Sequence, residues 1–469
     1  MMKSHPQECG HRRRKLRSND HGAAYPTGLA GGKGRILQRV TMISVILLVC
    51  MSPLPFSIPG AQPLWADSRP DQPAAPETPL PPSPCEWSPK VQDELRNLLE
   101  PTDAALLADP DGCRLVAINA QKSLVPASTL KLLTAAAALH HLGPDYRFPT
   151  EVFTDGAGNL KIKGYGDPLL ISEVVATLAH SVAGRLANSQ PGGLVGYGDL
   201  IIDDGWFKQP LYIPGRSHTL QPYDAPNGAL CVNFNTVFFK RHDGQPVSAE
   251  EQTPLLPFAR KKINASGQAK GRIGLSAGAA ENVRYSGELL AHFLELEGIQ
   301  RSGSIRSGSV APEDKEIYRH LSPYPLTEVI KKLMAFSNNF MANQLFIATG
   351  IKAMGPPGTL AKAKGAVTRY AHEELGLKHL ELVEGSGISR RNRMTAEDLL
   401  RVLEVFSPYY DLLRKEGREY YKTGTLEGVR TRAGYLEGRD GRLYRFVVLR
   451  NTPGATTEAV MQLFRTHLQ

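Results

Sequence analysis

The chain has 469 residues, 41% of them hydrophobic, enough to bury a large core and to hold two or three domains. Its formal charge is +9, but residues 1–41 carry nine Lys/Arg against Glu8 and Asp20, residues 42–66 carry no charge, and only +2 remains from Asp67 onward. The basic balance therefore belongs to one end of the chain and is not a nucleic-acid footprint.

That end reads as an export signal. A basic stretch precedes the apolar run Ile43–Met51, and Pro53 and Pro55 break it. The run is short for a membrane span. Cleavage near Ala66 is expected, although Leu64 is not the small residue such a site favours; an uncleaved anchor is the alternative, and it would be the chain's only membrane contact. Arg12-Arg13 lies too far from the run for a twin-arginine signal, and Cys50 lacks a lipidation box. Residues 67–85 are Pro-rich and read as a linker.

Pro89, after Ser88, opens a helix to about Leu99. Ala104–Leu107 and Cys113–Ile118 form a hairpin around Asp109-Pro110-Asp111-Gly112. Ser128 then opens an apolar helix that Gly143-Pro144 stops. Strands are expected at Leu160–Lys163, Asp199–Asp203 and Val232–Phe239, in a Gly-rich stretch of short strands and turns. A helix with apolar residues at Leu326, Val329, Ile330, Leu333 and Met334 ends before Ser337. Tyr420–Leu426 reads as a strand, Arg432–Leu436 and Arg442–Arg450 as a hairpin, and Thr457–Leu468 as a helix.

Three motifs punctuate this order. Ser128 and Lys131 spell S-x-x-K, Ser337 and Asn339 spell S-x-N, and Lys422-Thr423-Gly424 spell K-T-G, followed by Thr425. Each alone has a bland reading: a capping serine on a buried helix, a polar loop, an edge strand blunted by a lysine. Together, in order and context, they supply what acyl transfer through a serine ester needs. Ser128 and Lys131 share a helix face. A desolvated lysine can lose its proton and act as base, and N–H groups at the helix start can meet an oxyanion. Gly424 would let a substrate backbone come close. A zinc peptidase is excluded, because His372-Glu373 meets Gly376 and not a second histidine. Gly385-Ser386-Gly387 lacks the G-x-S-x-G spacing of a hydrolase elbow.

To bring Ser128 near Lys422, the two ends of the mature chain must meet in one discontinuous α/β domain. We assign it residues 86–155 and 316–469, with 156–315 as an inserted, mainly β module. Cys85 and Cys113 flank the first helix and hairpin and are the expected disulfide pair; with Cys231 they match no zinc spacing, and unpaired buried thiols are the alternative.

From about residue 90 onward the chain resembles the D-alanyl-D-alanine carboxypeptidase/endopeptidase family of the penicillin-binding protein 4 (DacB) type, a low-molecular-mass class C penicillin-binding group. Beyond the motifs, the resemblance rests on Gly164-Tyr165-Gly166-Asp167-Pro168, on Pro222–Pro226 with Ala229-Leu230 and Asn233-Phe234-Asn235, and on Gly385–Arg390, together with the long insert. It implies a serine β-lactamase/transpeptidase-like fold, Ser128 as nucleophile and Lys131 as its base. Ser337 would relay a proton, Asn339 orient the substrate amide, and Lys422, Thr423 and Thr425 bind a terminal carboxylate, with Gly424 in the same strand. The N–H groups of Ser128 and Thr425 would form the oxyanion hole. Peptidoglycan stem peptides would be substrates, β-lactams inhibitors, the periplasm or envelope the location, and no cofactor or metal would be needed. A non-hydrolytic scaffold or sensor of the same fold is the alternative; a β-lactamase fits the long insert poorly. Asn338 and Glu384 replace aspartates common in the family, and Tyr409–Tyr421 is short and lacks a Gly-Asp-Gly-Thr-Leu segment.

Overall fold

The computed structural model describes residues 87–189, 196–217 and 219–468. The export segment, the Pro-rich linker and Cys85 lie outside the described residues. The opening segment runs α1 (Pro89–Leu98), β1 (Asp103–Ala108), β2 (Arg114–Ile118), a 3-10 turn (Ala127–Leu130) and α2 (Lys131–Leu142). The middle runs β3 (Pro149–Thr154), β4 (Leu160–Gly164), α3 (Ser172–Ser189), β5 (Gly196–Tyr197), β6 (Leu200–Asp203), β7 (Thr236–His242), β8 (Gln245–Ser248), α4 (Pro257–Ser266), β9 (Gly271–Gly274), α5 (Ala279–Leu296), β10 (Gln300–Arg301), β11 (Ile305–Ser307) and β12 (Lys315–Leu321). The closing segment runs α6 (Leu326–Phe336), α7 (Asn339–Met354), α8 (Leu360–Glu373), α9 (Ala396–Phe406), β13 (Arg414–Glu416), β14 (Glu419–Leu426), β15 (Val429–Glu437), β16 (Leu443–Arg450) and α10 (Glu458–His467).

The two ends do meet. An antiparallel sheet of order β13-β14-β15-β16-β1-β2 joins β1 to β16, with Asp103 opposite Arg450 and Ala108 opposite Arg445. The seam carries a buried ion pair. Asp103 Oδ2 accepts from Arg450 Nε at 2.8 Å, and Asp103 Oδ1 accepts from the Asn451 N–H at 2.8 Å. Removing one partner would strand a buried charge, a loss of roughly 3–5 kcal/mol. On one face Val91 and Leu95 of α1 and Val460, Met461 and Phe464 of α10 cover Ala105, Leu107, Phe446 and Val448. On the other, α9 lies against β1 and β16 and is itself backed by α2. Both faces are covered, so β1 is buried along its whole length. Helix α2 is caged by α6, α7, α8 and α9, and every residue from Lys131 to Leu139 is buried.

The middle segment builds a second sheet, β11-β6-β4-β3-β12, parallel where β6 meets β4 and β11 and antiparallel elsewhere. Two 18-residue helices, α3 and α5, share a core with it through Val175, Leu178, Val182, Leu289, Leu290 and Leu294. The insert is therefore mixed α/β and not mainly β. Its two long helices carry apolar residues at helical spacing, a signal that the surrounding glycines and turns mask. Strands β3 and β12, assigned from sequence to the outer segments, belong to this second sheet: Thr154 pairs with both Leu160 and Lys315. All described residues fall within one compact unit, Cys85–Gln469.

Two local expectations are corrected. Val232–Phe239 is not strand throughout. Asn233, Phe234 and Asn235 form a 3-10 turn with φ of 49°, 59° and 53°, and β7 starts only at Thr236. Asparagine tolerates that left-handed region better than most residues, and side-chain bonds to Ser172 and to the Pro226 carbonyl hold the turn. Nor does Ser128 open an α-helix. It sits in the 3-10 turn ahead of α2, after Ala127 at φ 47°. Among the cysteines, Cys113 is disulfide-bonded and Cys231 is a buried free thiol. No helix of the described residues is long and apolar enough to cross a membrane.

Candidate active site

All three motifs converge where α2, α7 and β14 meet. Lys131 is wholly buried, and its Nζ lies 2.8 Å from Ser128 Oγ. The same nitrogen donates to Asn339 Oδ1 at 2.8 Å and to the Ser386 carbonyl at 2.6 Å. A neutral amine has two N–H bonds and one lone pair. In that form the two carbonyl-type acceptors would take the N–H bonds and the lone pair would face the Ser128 hydroxyl, whereas the ammonium form donates to all three. Burial drives the lysine well below its ordinary pKa, the nearby Lys422 ammonium lowers it further, and the Glu384 carboxylate opposes both. Lys422 is also buried, and burial brings it down to about 7; its Nζ donates to the Thr423 carbonyl at 2.6 Å.

The second motif is a helix junction. Ser337 ends α6 in the left-handed region at φ 52°. Asn338 caps α7, its Oδ1 accepting from the Met341 N–H at 3.1 Å. An aspartate would cap equally well, so the asparagine here is structurally neutral. Asn339, the first residue of α7, turns its amide to Lys131, and its Nδ2 lies 3.4 Å from the Tyr223 carbonyl.

In the third motif Lys422 and Gly424 are buried, while Thr423 and Thr425 alternate onto the exposed face of β14. Gly424 was expected to leave room for substrate, but the room is already taken. A Cβ there would lie 2.7 Å from the Ser128 nitrogen and would overlap Thr431 Oγ1. The glycine lets β14 press directly on the turn that carries Ser128, whose Pro126 carbonyl accepts from Thr431 Oγ1 at 2.8 Å.

Sequence reasoning missed the group that holds the far side. Residues 384–389 form a loop in which Gly387, at φ 80°, is jammed against the Ala127 carbonyl. Glu384, with no exposed surface, sits at the loop's centre. The signal was present, since Gly385–Arg390 was singled out, but only as a likeness. The Pro222–Pro226 stretch likewise lies at the site, through Tyr223. The short Tyr409–Tyr421 stretch becomes a 3-10 turn and the edge strand β13. Among the described residues, no group of three or more His, Cys, Asp or Glu could hold a metal ion.

A serine and a buried lysine beneath the edge strands of an antiparallel sheet that closes the chain ends place the molecule in the serine β-lactamase and transpeptidase fold. The crystal structure of penicillin binding protein 4 (dacB) from Haemophilus influenzae superposes with a TM-score of 0.65 at 19% identity, covering 80% of this chain and 98% of that one. The chain belongs to the D-Ala-D-Ala carboxypeptidase 3 (S13) family, whose model matches residues 110–272 and 247–409, and it is a serine-type carboxypeptidase. Its relatives include a D-alanyl-D-alanine carboxypeptidase from an Actinomadura species, 25% identical over 93% of this chain and 91% of that one. Another is D-alanyl-D-alanine carboxypeptidase DacB of Haemophilus influenzae, 24% identical over 70% and 81%.

Proposed function

We propose that the protein is an exported D,D-carboxypeptidase that removes terminal D-Ala from peptidoglycan stem peptides through an ester on Ser128, and that β-lactams acylate the same serine. The observation that carries this reading is Lys131, buried, with its Nζ 2.8 Å from Ser128 Oγ and held on its other sides by Asn339 Oδ1 and the Ser386 carbonyl. Lys131 takes the hydroxyl proton as Oγ attacks the penultimate D-Ala carbonyl. The resulting oxyanion rests on the N–H groups of Ser128 and Thr425. Collapse breaks the peptide bond, and the leaving D-Ala amine receives a proton relayed by Ser337. Water then attacks the ester, releases the shortened peptide and restores Ser128. No cofactor enters any step. Lys422, Thr423 and Thr425 hold the terminal carboxylate. The dacB protein of Haemophilus influenzae has been solved with a β-lactam bound, which supports the inhibitor assignment. Incubating purified Asp67–Gln469 with a fluorescent penicillin and a disaccharide pentapeptide tests the whole reading. A labelled serine and released D-Ala are expected; labelling without release would favour the scaffold alternative.

The clamp makes a separate prediction. Because Lys422 is brought to about 7, its charge is present below neutrality and fades above it. KM for a substrate ending in a free carboxylate should climb as pH rises through about 7. Lys422→Ala should weaken such substrates more than peptides with an amidated terminus. Equal losses on both would assign Lys422 to structure alone.

Export and the disulfide can be tested on one sample. Protein recovered from the cell envelope should begin between about Ala61 and Ser68, and mapping without reduction should yield a Cys85–Cys113 peptide. Closing a loop of this length adds roughly 3 kcal/mol. Full-length protein confined to the cytosol, or a free Cys85, would contradict the respective assignment.

A further inference from the structure

The loop 384–389 is built around one carboxylate. Glu384 Oε2 accepts from the Ser386 N–H at 2.7 Å, Ser386 Oγ at 2.6 Å and Asn343 Nδ2 at 3.3 Å. Glu384 Oε1 accepts from the Gly387 N–H at 2.8 Å, the Ser389 N–H at 3.3 Å and Asn392 Nδ2 at 2.7 Å. Only donors meet it, and an ionised carboxylate is the form that satisfies all of them. The consequence lies on the loop's other side. With three N–H groups turned inward, the carbonyls turn outward to α2: Gly385 O accepts from Thr134 Oγ1 at 2.7 Å, and Ser386 O accepts from Lys131 Nζ at 2.6 Å.

We propose that Glu384 is a positioning residue for the acylation step, folding the loop so that the Ser386 carbonyl aims Lys131 at Ser128 and placing a fixed negative charge behind that lysine. The proposal rests on the reading of Lys131 as the base. The groups that face Lys131 are Ser128 from the nucleophile turn, Asn339 from α7, Ser386 and Glu384 from the loop, and Lys422 from β14. Glu384 and Lys422 are the charged members, and they act in opposite directions. Burial, and after it Lys422, favours the neutral lysine, and Glu384 opposes both by favouring the protonated one.

The test is the pH profile of the second-order rate of penicillin acylation in the full mature chain. Acylation needs neutral Lys131, so the rate rises with pH through the lysine's pKa. Glu384→Gln keeps the shape, removes the charge and turns an amide toward three donors. Its maximal rate should fall on the order of 10- to 100-fold, from misplacement of the base. Its acid limb should move to lower pH by about one unit, because a counter-charge that favoured protonation is gone. Glu384→Asp keeps the charge with a shorter reach, so its rate should fall while its acid limb stays at the wild-type pH. A merely structural glutamate would lower the active fraction and leave both limbs unmoved; an unmoved limb in Glu384→Gln, or equal limb shifts in both variants, overturns the proposal. If Glu384→Gln does not fold, Ser386→Ala replaces it. That change removes a donor from Glu384 but keeps the carbonyl, and it should slow acylation several-fold in protein that still melts cooperatively, whereas wild-type acylation would refute the assignment. Wild-type protein that is labelled at Ser128 but lacks any acid limb would instead count against Lys131 as base, which separates the two failures.

Discussion

Ser128→Ala should abolish both penicillin labelling and D-Ala release while the protein stays folded. Ser128 sits in a 3-10 turn with no side-chain capping bond at its start, and its Oγ meets Lys131 Nζ at 2.8 Å. The turn is held by other groups. Thr129 Oγ1 and Thr431 Oγ1 both donate to the Pro126 carbonyl, at 2.6 and 2.8 Å, and Gly424 presses on the Ser128 nitrogen. Losing the hydroxyl therefore costs about 1 kcal/mol of stability, within what a domain of this size tolerates. The chemical loss should be total, because the Ser128 hydroxyl is the one bonded to Lys131 Nζ. Thermal melting, penicillin labelling and chromatography of muropeptide products check the three parts. A penicilloyl adduct that mass spectrometry places elsewhere would overturn the assignment of the site.

The second large effect is expected at Lys131. Without a base the Ser128 hydroxyl must ionise unaided, and Lys131→Ala should slow acylation by roughly 10²–10⁴-fold. Lys131→Met fills the same space and carries a further signature in stability. The folded pKa of Lys131 lies well below the ordinary lysine value of 10.5, so between those two values the unfolded chain binds a proton that the folded chain does not. Wild-type stability should then rise with pH across that window, toward 10.5. Lys131→Met lacks the group, and its stability curve should be flatter there, with Lys422, brought to about 7, supplying the slope that remains. Urea unfolding at several pH values between 7 and 10 measures this. Identical slopes for the two proteins would mean that Lys131 is charged in the folded state, and the base role would fall with it.

Much of the site was legible in the sequence because it is written locally. Ser128 and Lys131 are three residues apart and need only one turn of chain to meet. Lys422, Gly424 and their neighbours needed only a strand, and the aromatic and β-branched residues around them called for one. The apolar spacing of Leu326–Met334 gave α6, and bringing Ser128 near Lys422 required the chain ends to meet in one domain; that they do so within one sheet, through β1 and β16, only the structure decided. The remainder depends on contacts between residues far apart in the chain, which no local pattern encodes. Whether β3 belonged to one sheet or the other was decided by its hydrogen-bond partners β4 and β12. The turn that carries Ser128 is set against the Gly424 and Gly387 backbones, which come so close to Ala127 and Ser128 that neither glycine could bear a Cβ. Glu384 read as an unremarkable substitution until the fold wrapped three backbone N–H groups and two asparagines around it. A buried carboxylate is tolerable only with such partners, and those partners exist only once the chain has closed around them. The sequence by itself therefore determined which motif residues would be presented together, because Ser128 and Lys131 lie on one turn and Lys422 to Thr425 on one strand. Tertiary structure alone decided how Lys131 is held and which charges face it, because that depends on burial and on groups more than 200 residues away, such as Asn339 at a separation of 208 and Ser386 at 255.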